Sequence, residues 1–378
     1  MKKKTIFIIC LFSIIGIGLL MIYSSSMIWA KFKTGNEYYY LIRQLIFFII
    51  GLIFFILATK IPLSNLYKIT NKLFILCLIL LVIVLIPGIG IERNGSRSWI
   101  GIGDLSIQPA EFMKIAFIIF TSKFLANNDG VMRKNRYFYS YMLIVGFIFG
   151  LIMLQPDFGS GIILVGTIVL MLFIGGIQIK NIVIGSIIAI IGVSIMILIA
   201  PYRMDRITSF LDPWSDPLGS GFQIIQSLYA ISPSNLFGYG LFNSKQKYYY
   251  LPEPQNDFIF AIICEELGII GGVIVVLLFA ALIYIGYTLS KSCKDLFASY
   301  LSFGFTSLLL IQVFINIAVV IGLIPVTGVT LPFISYGGSS LVISMFMMGI
   351  IVNIMKNTDK DLDFEYKNEK KLNKFYKK

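Results

Sequence analysis

The sequence predicts an all-α polytopic membrane protein with about ten transmembrane helices and one long extracytoplasmic loop between helices 7 and 8. Three observations carry that reading. Of 378 residues, 57% are hydrophobic and only 13% charged. The apolar residues fall in blocks of about 20, the length a helix needs to cross a bilayer. Basic residues concentrate in alternate connections, as the positive-inside rule requires of a multi-pass chain. Backbone groups in lipid must bond within their own segment, which favours helices over the short alternating segments of a membrane barrel.

The first block, 5–29, follows Met1-Lys2-Lys3-Lys4 and its apolar run continues to Tyr23. That run exceeds the roughly 7–15 residues of a signal-peptide core, so it reads as a first crossing and not as a cleaved leader. Blocks 43–60, 73–90, 109–126, 138–154, 159–177 and 181–200 give the next six crossings, and 258–288, 296–325 and 337–355 the last three. Residues 1–355 are thus one transmembrane domain containing the outer loop 201–256, and 356–378 are a Lys-rich tail expected to be solvated and loosely ordered. With the N-terminus inside, inner segments hold 21 Lys/Arg against seven Asp/Glu, while outer segments hold nine of each. Both termini are therefore expected in the cytoplasm. The net charge of +12 reports on topology and on attraction of the tail to anionic membrane lipid, and gives no reason to invoke a nucleic acid.

Cys10, Cys77, Cys264 and Cys293 form no paired motif and read as small apolar fillers. The chain has no histidine, which removes imidazole acid–base chemistry, His-ligated zinc and haem ligation together. Catalysis must then rest on carboxylates, Lys, Arg, Tyr or backbone groups.

Polar residues gather in three outward segments. The first runs from Asn94-Gly95-Ser96-Arg97-Ser98-Trp99 through Gln108-Pro109-Ala110-Glu111-Phe112-Met113-Lys114 into the fourth helix. Pro109 suits a first helical turn and Glu111 the positive end of the helix dipole. Glu111 and Lys114 share a face inside the bilayer, and read equally as an ion pair joining helices or as part of a polar cavity. The second is the 56-residue loop, whose apolar spacing predicts short helices lying on the membrane face. Its Arg203 and Arg206, one turn apart, suit a pyrophosphate or, alternatively, lipid phosphates. The third, Gly322 through Ser340, is dense in Pro, Gly and hydroxyl residues and predicts a re-entrant, non-helical backbone lining a cavity.

Asp257 is the most informative single residue. It lies in Pro252-Glu253-Pro254-Gln255-Asn256-Asp257-Phe258-Ile259-Phe260, where the long polar loop enters an apolar helix. A carboxylate there is partly desolvated, holds its proton more tightly, and suits abstraction of a proton from a hydroxyl. Glu265 and Glu266 lie about two turns further in. Successive residues point about 100° apart, so the two are not expected to meet one partner; one is expected to pair with Lys114 or an Arg.

Taken together these segments resemble the SEDS family of membrane-embedded peptidoglycan glycosyltransferases (FtsW, RodA and SpoVE), over essentially all ten helices. The most specific parts are Asn94-Gly95 through Glu111, Gln155-Pro156-Asp157-Phe158-Gly159, Pro252-Glu253 through Phe260 with Glu265-Glu266-Leu267-Gly268, and Pro325 through Ser340. Leu211-Asp212-Pro213-Trp214 and Ser244-Lys245-Gln246-Lys247-Tyr248 look closer to the division and sporulation branch. Ala110, Asn256 and Ile231 through Asn235 depart from the family's usual wording without removing a carboxylate or an arginine.

The resemblance implies that Asp257 is catalytic and that the substrate is lipid II, a disaccharide-pentapeptide on undecaprenyl pyrophosphate. It implies a glycan polymerase in a bacterial cytoplasmic membrane, with Arg203, Arg206, Lys114, Glu111, Arg97, Gln108 and Ser339 as candidates for holding substrate and pyrophosphate. A class B penicillin-binding protein transpeptidase is the implied partner. No cofactor is evident. No dedicated metal-ligand spacing stands out either, although a divalent cation, Mg or Mn, bridging pyrophosphate and carboxylates stays open. Two alternatives remain beside the enzyme: a flippase moving the same lipid, which intramembrane Glu111, Lys114, Glu265 and Glu266 would suit, and a non-catalytic scaffold for cell-wall assembly.

Overall fold

A computed structural model gives the fold. It describes the backbone of residues 2–375 apart from 94, 103, 104, 129, 200, 233, 234 and 249, and the side chains of these apart from 102, 105, 131, 189, 190, 193, 195–203 and 359–375. In chain order the helices are α1 (Lys2–Thr34), α2 (Tyr39–Ala58), α3 (Leu63–Ile83), α4 (Pro109–Asn127), α5 (Asn135–Met153), α6 (Phe158–Ile174) and α7 (Ile179–Ile199). Short α8 (Pro201–Leu211) and α9 (Phe222–Ile231) follow, then α10 (Ile259–Ser292), α11 (Leu296–Val320) and α12 (Gly338–Phe375). Every predicted crossing corresponds to one long helix, and the outer loop does fold into short helices.

Among the described residues, seven helices are long and apolar enough to cross a membrane unaided. Of the others, α4 carries Glu111, Lys114 and Lys123, and α6 has only 17 residues. Both pack against α11, which touches α4, α6 and α10 and sits at the centre of the bundle. A helix so enclosed need not be lipophilic on every face.

Hydrogen bonds sort the connections into two ends. At one end Ser96 Oγ donates to the Gln155 carbonyl, Gln108 Nε2 to Asp157, Arg206 Nη1 to the Val326 carbonyl and Ser335 Oγ to the Asn256 carbonyl. At the other, Tyr67 meets Asn127, Gln178 meets Arg133 and Lys356 meets Thr59. The first end, which carries the long loop, is called the loop face.

Three features depart from expectation. The block drawn at 73–90 is helical at 63–83 instead: the polar turns around Lys68 and Lys72 belong to α3, and residues 84–89 turn out of it. Next comes a three-stranded antiparallel sheet of β1 (Gly90–Arg93), β2 (Ser96–Ile102) and β3 (Leu105–Ile107). It pairs Ile91 with Trp99 and Ile100 with Ile107, so a purely helical reading misses a hairpin built from β-branched and aromatic residues. Finally, α12 runs through the tail to Phe375 where loose order is expected. Lys and Glu are good helix formers, and extending a formed helix avoids a new nucleation cost.

Within α10 the backbone breaks at Gly268, whose φ of 71° and ψ of −170° are non-helical. The break frees carbonyls above it and N–H groups below it. The loop supplies the partners: Tyr239 and Gly240 N–H donate to the carbonyls of Glu265 and Glu266, and Ile269 and Ile270 N–H donate to those of Asn235 and Leu236. The approach is so close that a Cβ on Gly238 would lie 2.5 Å from the Glu266 carbonyl oxygen, and one on Gly268 2.3 Å from that of Leu236. Glycine is required at both positions.

Candidate active site on the loop face

Asp257 stands two residues before α10 and keeps partial exposure. Three consecutive carbonyls hold its segment in place: Gln255 accepts from Tyr336 N–H at 2.8 Å, Asn256 from Ser335 Oγ at 2.7 Å, and Asp257 from Asn316 Nδ2 at 2.7 Å. The irregular stretch 321–337 is thus bolted to the loop's last turn, and residues 331–335 are buried against the bundle. Gln44 Oε1 on α2 accepts from Gly337 N–H, tying down the far end. The non-helical backbone read from Gly322 to Ser340 holds to Gly337, after which α12 begins.

The carboxylate itself faces Gly328, where a Cβ would lie 3.7 Å from Oδ2. Burial pushes its carboxyl up from the ordinary 3.8 to about 6; the Glu253 carboxylate adds to the rise and the Arg206 guanidinium opposes it. Arg206 is exposed on α8 and donates Nη1 to the Val326 carbonyl at 3.1 Å, which holds its charge beside the acid. Arg203 lies on the same helix, but its side chain is outside the described residues.

A second polar cluster lies on the other side of the Thr327–Gly328 backbone. Gly159 abuts the Thr327 carbonyl, and beside it Asp157 caps α6 through Ser160 N–H and accepts from Gln108 Nε2 at 2.6 Å. Lys114, almost fully buried, gives its ammonium to Glu111 at 2.7 Å, a pair made within α4 and not between helices. Burial raises the Asp157 carboxyl, with the Ser160 cap and Lys114 pulling the other way. Predicted residues Gln108, Glu111 and Lys114 therefore come together around Asp157. Arg97 does not join them: it faces Glu92 across the hairpin at 3.7 Å. Ser339 is buried in the first turn of α12.

The expectation for Glu265 and Glu266 is corrected. Among the described residues neither pairs with Lys114 or an arginine, and both engage one loop segment, 242–247. Glu265 accepts from Ser244 Oγ at 2.5 Å and from Lys245 N–H at 2.8 Å. Glu266 accepts from Ser24 Oγ of α1, Phe242 N–H and Ser244 N–H, and pairs with the buried Lys247 ammonium at 3.0 Å. The loop wraps the end of the helix, so side chains 100° apart reach the same segment and meet at Ser244, one through its hydroxyl and the other through its N–H.

Sequence reasoning gave Asp157 and Lys247 a place in motifs but no role in the site, and did not single out Asn316. Asn316 had a signal, being a carboxamide in the middle of an apolar helix.

Fold and site together define a class: a multi-pass membrane protein with a cluster of polar groups on one face, around a carboxylate poised at the mouth of a broken helix. The chain belongs to the FtsW, RodA and SpoVE family of cell cycle proteins, whose model matches residues 4–360. It is 48% identical over 359 residues to stage V sporulation protein E of Bacillus subtilis (strain 168), covering 94% of this chain and 98% of that one. It is 38% identical over 370 residues to the probable peptidoglycan glycosyltransferase FtsW of Coxiella burnetii (strain RSA 493 / Nine Mile phase I), covering 95% and 99%. Among solved structures, a chain described under "Structural coordination of polymerization and crosslinking by a peptidoglycan synthase complex" superposes with a TM-score of 0.78 at 27% identity, over 93% of this chain and 97% of that one. The rod shape determining protein RodA of Thermus thermophilus superposes at 0.69 with 24% identity, covering 93% and 96%, a likeness of fold alone. The resemblance read from the motifs is borne out.

Proposed function

We propose that the protein polymerises lipid II into glycan strands at the outer face of the bacterial cytoplasmic membrane, for division or sporulation, as an inverting glycosyltransferase. The observation that carries this reading is Asp257: a partly exposed carboxylate, proton affinity raised by burial, beside the Arg206 guanidinium. Pyrophosphate is already a good leaving group, so the reaction needs a base more than a strong acid. Asp257 takes the proton from the acceptor sugar's 4-hydroxyl as that oxygen forms its bond to the donor's anomeric carbon. The bond to the lipid pyrophosphate breaks with inversion, and the pyrophosphate leaves with the electron pair. Arg206, with Arg203, stabilises the charge that grows there.

Lys114 is less suited to that role than the sequence suggests, because its ammonium is committed to Glu111. Among the described residues no three His, Cys, Asp or Glu side chains gather as a metal site. A Mg or Mn ion here would draw its oxygens from the pyrophosphate, which leaves the Asp257 carboxylate to act as base. The loop face is then extracytoplasmic and both termini are cytoplasmic. A class B penicillin-binding protein is the partner that would crosslink the product, and the name of the 27%-identical complex is consistent with such a pairing.

Asp257→Asn tests the reading. The variant is expected to insert and fold normally, and to make no glycan from purified lipid II in detergent; retained polymerisation would sink the proposal. Detergent also removes the compartments a flippase needs, so strands made there by the wild type separate enzyme from transporter. A harmless Asp257→Asn in the cell would leave only the scaffold.

A further inference from the structure

Asn316 is fully buried in α11, four residues from its end. Its carboxamide nitrogen donates to two carbonyls, those of Asp257 and Val329, each at 2.7 Å. Four residues earlier, on the same helix face, Gln312 Nε2 reaches the Thr330 carbonyl at 3.4 Å. The stretch 321–337 and the last turn of the long loop are both irregular backbone, and each holds the other through Tyr336 and Ser335. Neither bond refers the pair to the membrane bundle. Gln44 does so at the far end, Gly337, and Asn316 does so nearest the acid: it joins the residue bearing the carboxylate, and the stretch that carries Gly328 past it, to the central α11.

We propose that Asn316 is a positioning residue for Asp257, one carboxamide setting where the carboxylate stands relative to Gly328 and Arg206. The inference rests on the reading of Asp257 as the base. Both N–H bonds of the carboxamide are used, so no apolar side chain can replace it without leaving the buried Val329 carbonyl and the part-buried Asp257 carbonyl without this donor. A displacement near 1 Å at a reacting group is enough to cost about 100-fold in rate. The side chain does not touch the carboxylate oxygens, so its effect passes through the backbone.

The test compares Asn316→Leu, Asn316→Asp and Asp257→Asn in the full-length protein with lipid II as the probe, measuring kcat, KM, the pH–rate profile and Tm. Asn316→Leu is expected to lower kcat about 10- to 100-fold with KM nearly unchanged, and to displace the acid limb as Asp257 moves relative to Arg206 and Glu253. In Asn316→Asp the new carboxyl faces two carbonyl oxygens, is held protonated, and restores one of the two bonds. It is expected to keep more activity than the leucine variant. If the leucine variant fails to fold, the aspartate variant is read alone, by its lowered kcat and displaced limb. A normal kcat per folded molecule with an undisplaced limb overturns the inference whatever happens to Tm, as does a change confined to KM. Activity in Asp257→Asn would instead sink the base assignment; an inactive Asp257→Asn beside normal Asn316 variants sinks only this inference.

Discussion

A base must be ionised to act, and Asp257 is held where ionisation is disfavoured. With burial setting its carboxyl at about 6, the polymerisation rate should fall to half as pH drops through that value, well above the usual carboxylate range. The two charged neighbours act in opposite senses. Arg206 favours the ionised form, so Arg206→Ala should move the acid limb to higher pH, and should also cost about 10- to 100-fold in kcat through the leaving group. Glu253 disfavours it, so Glu253→Gln should move the limb to lower pH. Rate profiles of the two variants that shift in the same direction would contradict this arrangement. The raised value also fixes a stability sign: the folded state prefers the neutral acid, so stability is lost as pH rises from the ordinary 3.8 through about 6, and Asp257→Asn should melt no lower than the wild type at pH 7. Asp257 was legible in the sequence because a lone acid beside an apolar run is conspicuous without knowing its partners. Lys247 was not, since its carboxylate lies 19 positions further on, and the Ser24 hydroxyl that shares it lies 242 residues from Glu266.

At the scale of elements, the break in α10 carries the most information. A helix interrupted at membrane depth leaves unpaired carbonyls and N–H groups that lipid cannot satisfy. Here residues 235–240 pair with them backbone to backbone, and Glu265 and Glu266 then grip 242–247, so the loop is part of the bundle from Asn235 to Lys247. Gly268→Ala should therefore act beyond its own residue. Alanine at φ +71° is strained by about 1–3 kcal/mol, and its Cβ would collide with the Leu236 carbonyl. The expected result is a lower Tm and faster proteolysis within 235–247, read by limited digestion of the purified protein; digestion at the wild-type rate would count against the pairing. The sequence reveals a long loop with helical spacing but not this seam, because backbone pairing leaves no periodicity in side chains beyond a glycine at each point of contact. The same blindness concealed the hairpin at 90–107, whose Asn94-Gly95 signature was outweighed by the bilayer pattern on either side.

For the whole molecule, the ten-helix plan was legible because bilayer thickness fixes helix length and charge fixes direction, both of which are written locally in the chain. Which polar groups share a face was legible only once the ends of the helices were sorted. Sorting gives two ends, and the charge asymmetry of the sequence predicts that the one holding Asp257 is the outer face. Exposed Ser215 lies in the long loop, and exposed Asn128 in the α4–α5 connection at the opposite end, beside the basic residues Arg133, Lys134 and Arg136. The four native thiols form no disulfide, three are buried and Cys293 is partly exposed, so a background with Cys293→Ser should be nearly silent to an aqueous maleimide. In that background Ser215→Cys should react with a membrane-impermeant maleimide in intact cells, and Asn128→Cys only after permeabilisation. The reverse pattern would put Asp257 in the cytoplasm, where a polymer destined for the cell exterior could not be made by it. It would also place the 21 basic residues of the opposite segments outside, against the charge asymmetry that sets the orientation of multi-pass chains.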